Sequence, residues 1–123
     1  MNLSQAEEEL IRFIWKLEKA YMSELLDLYP EPKPAATTVA TLLKRMQDKG
    51  FIDYEQHGRS RQYYALIKES DYSSKQISGL IGRLFSNSAV KFASFFTTET
   101  NLSEKELEEL KKIIEKQIER KKK

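Results

Sequence analysis

Seven side chains have the types and spacing to grip a polyanion. Thr37, Thr38, Thr41, Lys44 and Arg45 share one short segment, and Arg59 and Arg61 lie beside Gly58. The four cations can neutralise phosphates, and an arginine or lysine can also reach a guanine edge. Threonine is short enough for close approach; its hydroxyl can bond a base edge or a phosphate, and its methyl can touch a thymine methyl. The chemistry on offer is recognition of duplex nucleic acid. No nucleophile–base pair, phosphate-cradling glycine loop or metal-ligand spacing accompanies it, so we expect no enzyme, no metal and no cofactor. The single histidine, His57, lacks ligand partners in sequence and reads as a turn residue or a phosphate contact.

The first group needs a helix. In TTVATLLKRMQDKG, Val39, Leu42, Leu43 and Met46 recur at i, i+3, i+4 and i+7, the signature of one buried stripe. The polar residues between them then face outward, and Gly50 suits a left-handed residue just past the helix end. The second group needs a tight turn. Phe51 to Gln56 and Gln62 to Ile67 read as two short strands, with HGRSR as the tip between them. A threonine-rich helix face alone is an ordinary solvated surface, and an arginine-rich tip often is too. Their order and spacing give them meaning.

Upstream, Ser4 and Glu7 have capping-box spacing, so a helix starts there with Leu10, Ile11, Ile14 and Trp15 inward. A shorter helix covers Met22 to Tyr29, and Pro30, Pro32 and Pro34 break the chain after it. Three helices followed by a hairpin are the parts of a winged helix-turn-helix, whose recognition helix presents N-terminal side chains to the major groove. Trp15, Phe51, Tyr54, Tyr63 and Tyr64 read as core rather than as a base-stacking platform. Downstream, Ile77, Leu80, Ile81, Leu84 and Phe85 form a stripe from near Asp71, and Asn87 and Ser88 mark a break before AVKFASFF. Ser103 and Glu106 then open a last helix carrying Leu107, Leu110, Ile113, Ile114 and Ile118. The expected fold is mainly α with a small antiparallel β-hairpin. Residues 1–69 form a winged-helix DNA-binding domain and residues 70–123 a helical dimerisation domain.

The bulk numbers agree. A chain of 123 residues with 33% charged and 40% hydrophobic side chains suits a small soluble protein. The net charge of +2 hides a division. Residues 1–32 carry three basic and seven acidic side chains, residues 33–68 carry seven and three, and residues 69–123 carry 11 and 9. Positive charge in the first half therefore gathers around the candidate helix and hairpin. The absence of cysteine excludes disulfides and thiolate metal sites. With no signal-peptide layout and no membrane-length apolar run, we expect a cytoplasmic protein.

The series TTVATLLKRMQDKGFI, GRSRQYYAL and LSEKELEELKKII resembles the penicillinase-repressor family, which includes the methicillin-resistance repressor, over nearly the whole chain. The resemblance implies a homodimeric repressor that binds half of a palindromic operator through each winged helix. It places Thr38, Thr41 and Arg45 on operator-contacting positions and Arg59 on the wing. It also implies a partner, a membrane-bound metallopeptidase sensor that detects β-lactam in antibiotic-resistance regulation, after which the repressor is cleaved in its C-terminal part. The chain departs from the pattern in three places. Ala40 stands where relatives often carry Lys or Arg. Phe95-Phe96 replaces an Asn-Phe pair at the aligned cleavage region. The cysteine cluster of the copper-responsive branch is missing. Apart from the resemblance, the helices after Ser70 carry more apolar surface than a small domain covers. Ile77, Ile81, Phe85, Phe92, Phe95, Leu107, Leu110 and Ile114 are the expected dimer interface. Two other readings remain: a winged-helix protein–protein module that never touches DNA, and a regulator holding a small molecule between its dimer helices.

Overall fold

The computed structural model describes residues 2–123. The order is α1 (Gln5–Leu17), β1 (Lys19–Tyr21), α2 (Met22–Leu28), α3 (Ala36–Asp48), β2 (Ile52–His57), β3 (Ser60–Ala65), α4 (Glu69–Leu84), α5 (Ala89–Glu99) and α6 (Glu104–Lys122). The residues group into two compact units, one ending at Lys75 and one starting at Gln76. The junction falls inside α4, so the first turns of that helix belong to the first unit.

In the first unit, α1 starts at the expected capping box. Ser4 Oγ accepts from the Glu7 backbone N–H at 3.2 Å, and Glu7 Oε1 accepts from the Ser4 N–H at 2.8 Å. Leu10, Ile11 and Ile14 of α1, Leu25 of α2 and Val39, Leu43 and Met46 of α3 are almost wholly buried together. Each such side chain contributes about 1.5–3 kcal/mol by leaving water. Gly50 takes φ +83° after α3, the left-handed turn that glycine adopts without strain.

The expected two-stranded hairpin is a three-stranded antiparallel sheet in the order β1-β3-β2. Ala20 pairs with Tyr63 and Tyr21 with Gln62, so β1 seals the outer edge of β3. The tip is also tighter than HGRSR suggested. His57 pairs with Ser60, which leaves only Gly58 and Arg59 in the turn. Gly58 has φ +61°, the glycine-first arrangement favoured in two-residue hairpin loops. His57 is therefore the last residue of β2 rather than a turn residue, and Arg61 lies within β3. Three helices with this sheet as the wing make a winged helix-turn-helix.

The second unit is built differently. Ser103 and Glu106 form the expected capping box of α6, and Ser88 Oγ caps α5 by accepting from the Lys91 N–H at 3.1 Å. Yet no residue of α5 or α6 is buried. Phe85 packs its ring against Phe92 and Phe95, each at 5.5 Å, and Phe92 stacks on Phe96 at 6.0 Å. Among the described residues, no helix is long and apolar enough to cross a membrane.

Candidate nucleic-acid interface

α3 is sharply two-sided. Val39, Leu43 and Met46 are buried, Leu42 is half-buried, and Thr37, Thr38, Ala40, Thr41, Lys44 and Arg45 are exposed. The helix follows Pro34 and Ala35 with no side-chain cap and no acidic residue in its first turn. Its first N–H groups and positive dipole end are thus left for an external acceptor, which suits a phosphate.

The exposed residues are not equally free. Thr41 Oγ1 donates to the Thr37 carbonyl at 3.0 Å, so its hydroxyl proton is used within the helix while its lone pairs remain available. Lys44 Nζ lies 3.0 Å from Asp48 Oδ1 one turn along, with both side chains well exposed. Such a pair contributes little and can exchange for a phosphate. Arg45 has no acidic partner among the described residues.

Two lysines that add to the positive charge of residues 33–68 are tied into the scaffold. Lys33 Nζ donates to the carbonyls of Leu26, Asp27 and Tyr29 at 3.0, 3.2 and 2.7 Å, closing the C-terminal end of α2. Lys49 Nζ reaches the buried carboxylate of Glu7. The free cations left in this region are fewer than composition suggested, and they concentrate on α3 and the wing.

On the wing, Arg59 occupies the turn and is exposed. Arg61 lays its guanidinium over the Tyr54 ring, 4.4 Å from the centroid, so its charge is anchored to the sheet. Both arginines share an open groove with Tyr21, Met22, Ser23, Leu26, Ser60 and Tyr63. Sequence reasoning missed Ser23 and Tyr21 here. Their only signal was nearness to the start of α2, and β1 brings them to the wing. His57 packs edge-on against Tyr21, with ring centroids 6.2 Å apart. Among the described residues, the α3 face and the wing arginines share no hydrogen bond or ion pair, so each faces solvent independently.

Of the expected interface residues, Ile77 (48%), Phe95 (54%), Leu107 (40%) and Ile114 (57%) are exposed, while Ile81, Phe85, Phe92 and Leu110 are half-buried. Phe95 and Phe96 lie within α5, in helical backbone.

A family model described as "Penicillinase repressor" matches residues 3–116. The methicillin resistance regulatory protein MecI of Staphylococcus aureus (strain N315) is 30% identical over 116 residues, covering 94% of each chain. The penicillinase repressor of Bacillus licheniformis is 29% identical over 122 residues, covering 98% of this chain and 95% of that one. Among solved structures, the DNA-binding domain of the repressor BlaI matches with TM-score 0.52 and 32% identity over 58% of this chain and 88% of that one. A mutant MarR from E. coli matches with TM-score 0.53 over 95% of this chain and 79% of that one, at 14% identity, a likeness of fold alone. With its buried α3 stripe, its outward polar face and a family match over nearly its whole length, the chain belongs to the penicillinase repressor family.

Proposed function

We propose that this chain is a transcriptional repressor that binds a palindromic DNA operator as a homodimer in the cytoplasm. The observation that carries the reading is the two-sided α3. Its buried Val39, Leu43 and Met46 fix the helix, and the opposite face offers Thr37, Thr38, Thr41, Lys44 and Arg45 to a major groove. Arg59 and Arg61 add phosphate contacts from the wing. In this reading residues 1–69 bind DNA and residues 70–123 dimerise. The absence of fully buried side chains in α5 and α6 supports the second role, because helices that leave this much apolar surface in water are stabilised by a partner. Ile77, Ile81, Phe85, Phe92, Phe95, Leu107, Leu110 and Ile114 supply the interface.

Release follows cleavage triggered by a membrane-bound metallopeptidase sensor, with Phe95-Phe96 as the cut site. The support is the exposure of both rings, 54% and 38%, in the segment that aligns with the family's cleavage region, where Phe95 departs from the family's Asn. A helix with no buried residue opens at small cost and can present an extended segment to a protease.

Selection from a random-sequence duplex pool on the full chain tests the central part. We expect enrichment of one palindrome with half-sites about one helical turn apart. Failure to enrich any sequence would contradict operator binding and favour a protein–protein module.

A further inference from the structure

The threonines on the outward face of α3 do not offer the same group. Thr41 Oγ1 donates to the Thr37 carbonyl at 3.0 Å, one turn back. A threonine bonded in this way has used its proton on its own helix, and its oxygen is turned along the axis toward the preceding turn. The tetrahedral Cβ then leaves the methyl as the group that stands out from the helix, at a residue that is exposed. The Thr37 and Thr38 hydroxyls have no hydrogen-bond partner among the described residues and stay free to donate. Ala40 is exposed as well and offers a methyl and nothing else. Its neighbours on the helix surface are Thr37, three residues before it, and Lys44, four after it. Two residues in the first half of α3 thus present carbon, between free hydroxyls at Thr37 and Thr38 and cations at Lys44 and Arg45. Val39 and Leu43, 0% and 1% exposed, fix the rotation of the helix on either side of the pair.

We infer that Ala40 and Thr41 determine sequence specificity by reading thymine through its 5-methyl group. This rests on the operator-binding reading and names the base edge that the middle of the outward face takes. The N-terminal half of a recognition helix meets base edges in the major groove, where thymine alone displays a methyl. A cation or a free hydroxyl gains nothing from that methyl. A protein methyl gains by leaving water against it. Thr37, Thr38, Lys44 and Arg45 then take the acceptors around it, on phosphates and purine edges. The readout is a division of labour along one helix, carbon in the middle and donors on both sides.

The test uses the full chain and the operator obtained by selection, with each thymine replaced in turn by deoxyuridine. That change deletes the methyl and keeps the carbonyl and the pairing. We expect one or two positions in each half-site where it weakens binding about three- to fourfold, the worth of burying one carbon, and roughly tenfold when both half-sites carry it. Thr41→Val keeps the methyl without the hydroxyl and should retain both the affinity and the preference for thymine. Thr41→Ser keeps the hydroxyl without the methyl and should bind thymine and uracil equally at one position. Ala40→Gly should do the same at the other position and only there. Circular dichroism confirms folding; should Ala40→Gly lose helix, the contrast of Thr41→Val with Thr41→Ser decides. Loss of selectivity in Thr41→Val, with thymine preference kept in Thr41→Ser, would overturn the inference and assign the contact to the Thr41 oxygen as acceptor from a base amino group. Indifference to uracil at every position, with the operator still preferred over random duplex, would overturn the inference and leave operator binding standing. Absence of any preference over random duplex would overturn operator binding itself, and this inference with it.

Discussion

Lys49 Nζ lies 2.6 Å from Glu7 Oε1, joining the residue that ends α3 to the capping carboxylate that starts α1. Glu7 is 1% exposed, and its Oε2 has no hydrogen-bond partner among the described residues. Burial pushes its carboxyl pKa up. The bond from Lys49, the two bonds with Ser4 and the Lys49 charge outweigh that, so the carboxyl titrates below its ordinary value. The pair thus holds α3 at its C-terminal end, away from the first turns that we propose enter the groove.

Removing the ammonium strands a buried charge. Lys49→Met should destabilise the first unit toward the lower end of the roughly 3–5 kcal/mol expected for breaking a buried pair, because Lys49 keeps some solvent contact. The depressed pKa also sets a sign. The Glu7 contribution is fully present above the unfolded carboxylate value of about 4.3 and is lost as pH falls through the lower folded value. Urea denaturation from pH 7 downward checks both points. Glu7→Gln should flatten the acid limb, and an unchanged limb would remove this pair as its cause.

Substitutions on α3 should separate reading from folding. Thr38→Ala and Arg45→Ala should each weaken operator binding by about 1–3 kcal/mol where the residue meets a base, with relaxed preference at that position. Both side chains are exposed, so thermal stability should stay near that of the parent. Competition binding with single-base operator variants measures the effect. Full affinity in both variants would take this helix out of the readout.

The wing arginines should act alike on DNA and differently on stability. Arg59→Ala and Arg61→Ala should each weaken binding to operator and random duplex together and lower the salt slope by about 1. Arg61→Ala should also cost about 0.5–1 kcal/mol of stability, because its guanidinium covers Tyr54. Thermal denaturation beside binding resolves the two, and a loss confined to operator DNA would make the wing a sequence reader.

The interface should fail when a carboxylate enters it. Leu110→Asp and Ile114→Asp bury an unpaired charge if those faces are covered, at a cost of several kcal/mol. Sedimentation velocity should then show monomer where the parent shows dimer. A variant that stays dimeric would move the interface off α6.

What could be read in advance follows how local its cause is. The capping boxes at Ser4 and Ser103 and the stripe of Val39, Leu43 and Met46 are set within one or two helical turns, and they stand where the sequence places them. β1 was not legible. Three residues carry no alternation, and its partner Tyr63 lies far along the chain. Nor were the fates of the lysines. Lys33 and Lys44 look equivalent in composition, yet Lys33 closes α2 and Lys44 stays on the exposed face. Tyr72 sits in a polar stretch, and only the tertiary fold brings Phe51, Trp15 and Glu8 around it.

Operator binding by a dimer should show in the affinities for whole and half sites and in their dependence on salt. Fluorescence anisotropy of the full chain should be followed on the selected palindrome, on one half-site and on random duplex, across a range of salt concentrations. We predict affinity for the palindrome at least about 10³-fold above that for random duplex, much weaker binding to the half-site, and a linear fall of log affinity with log salt. Equal affinity for half-site and palindrome, or binding indifferent to salt, would contradict the account.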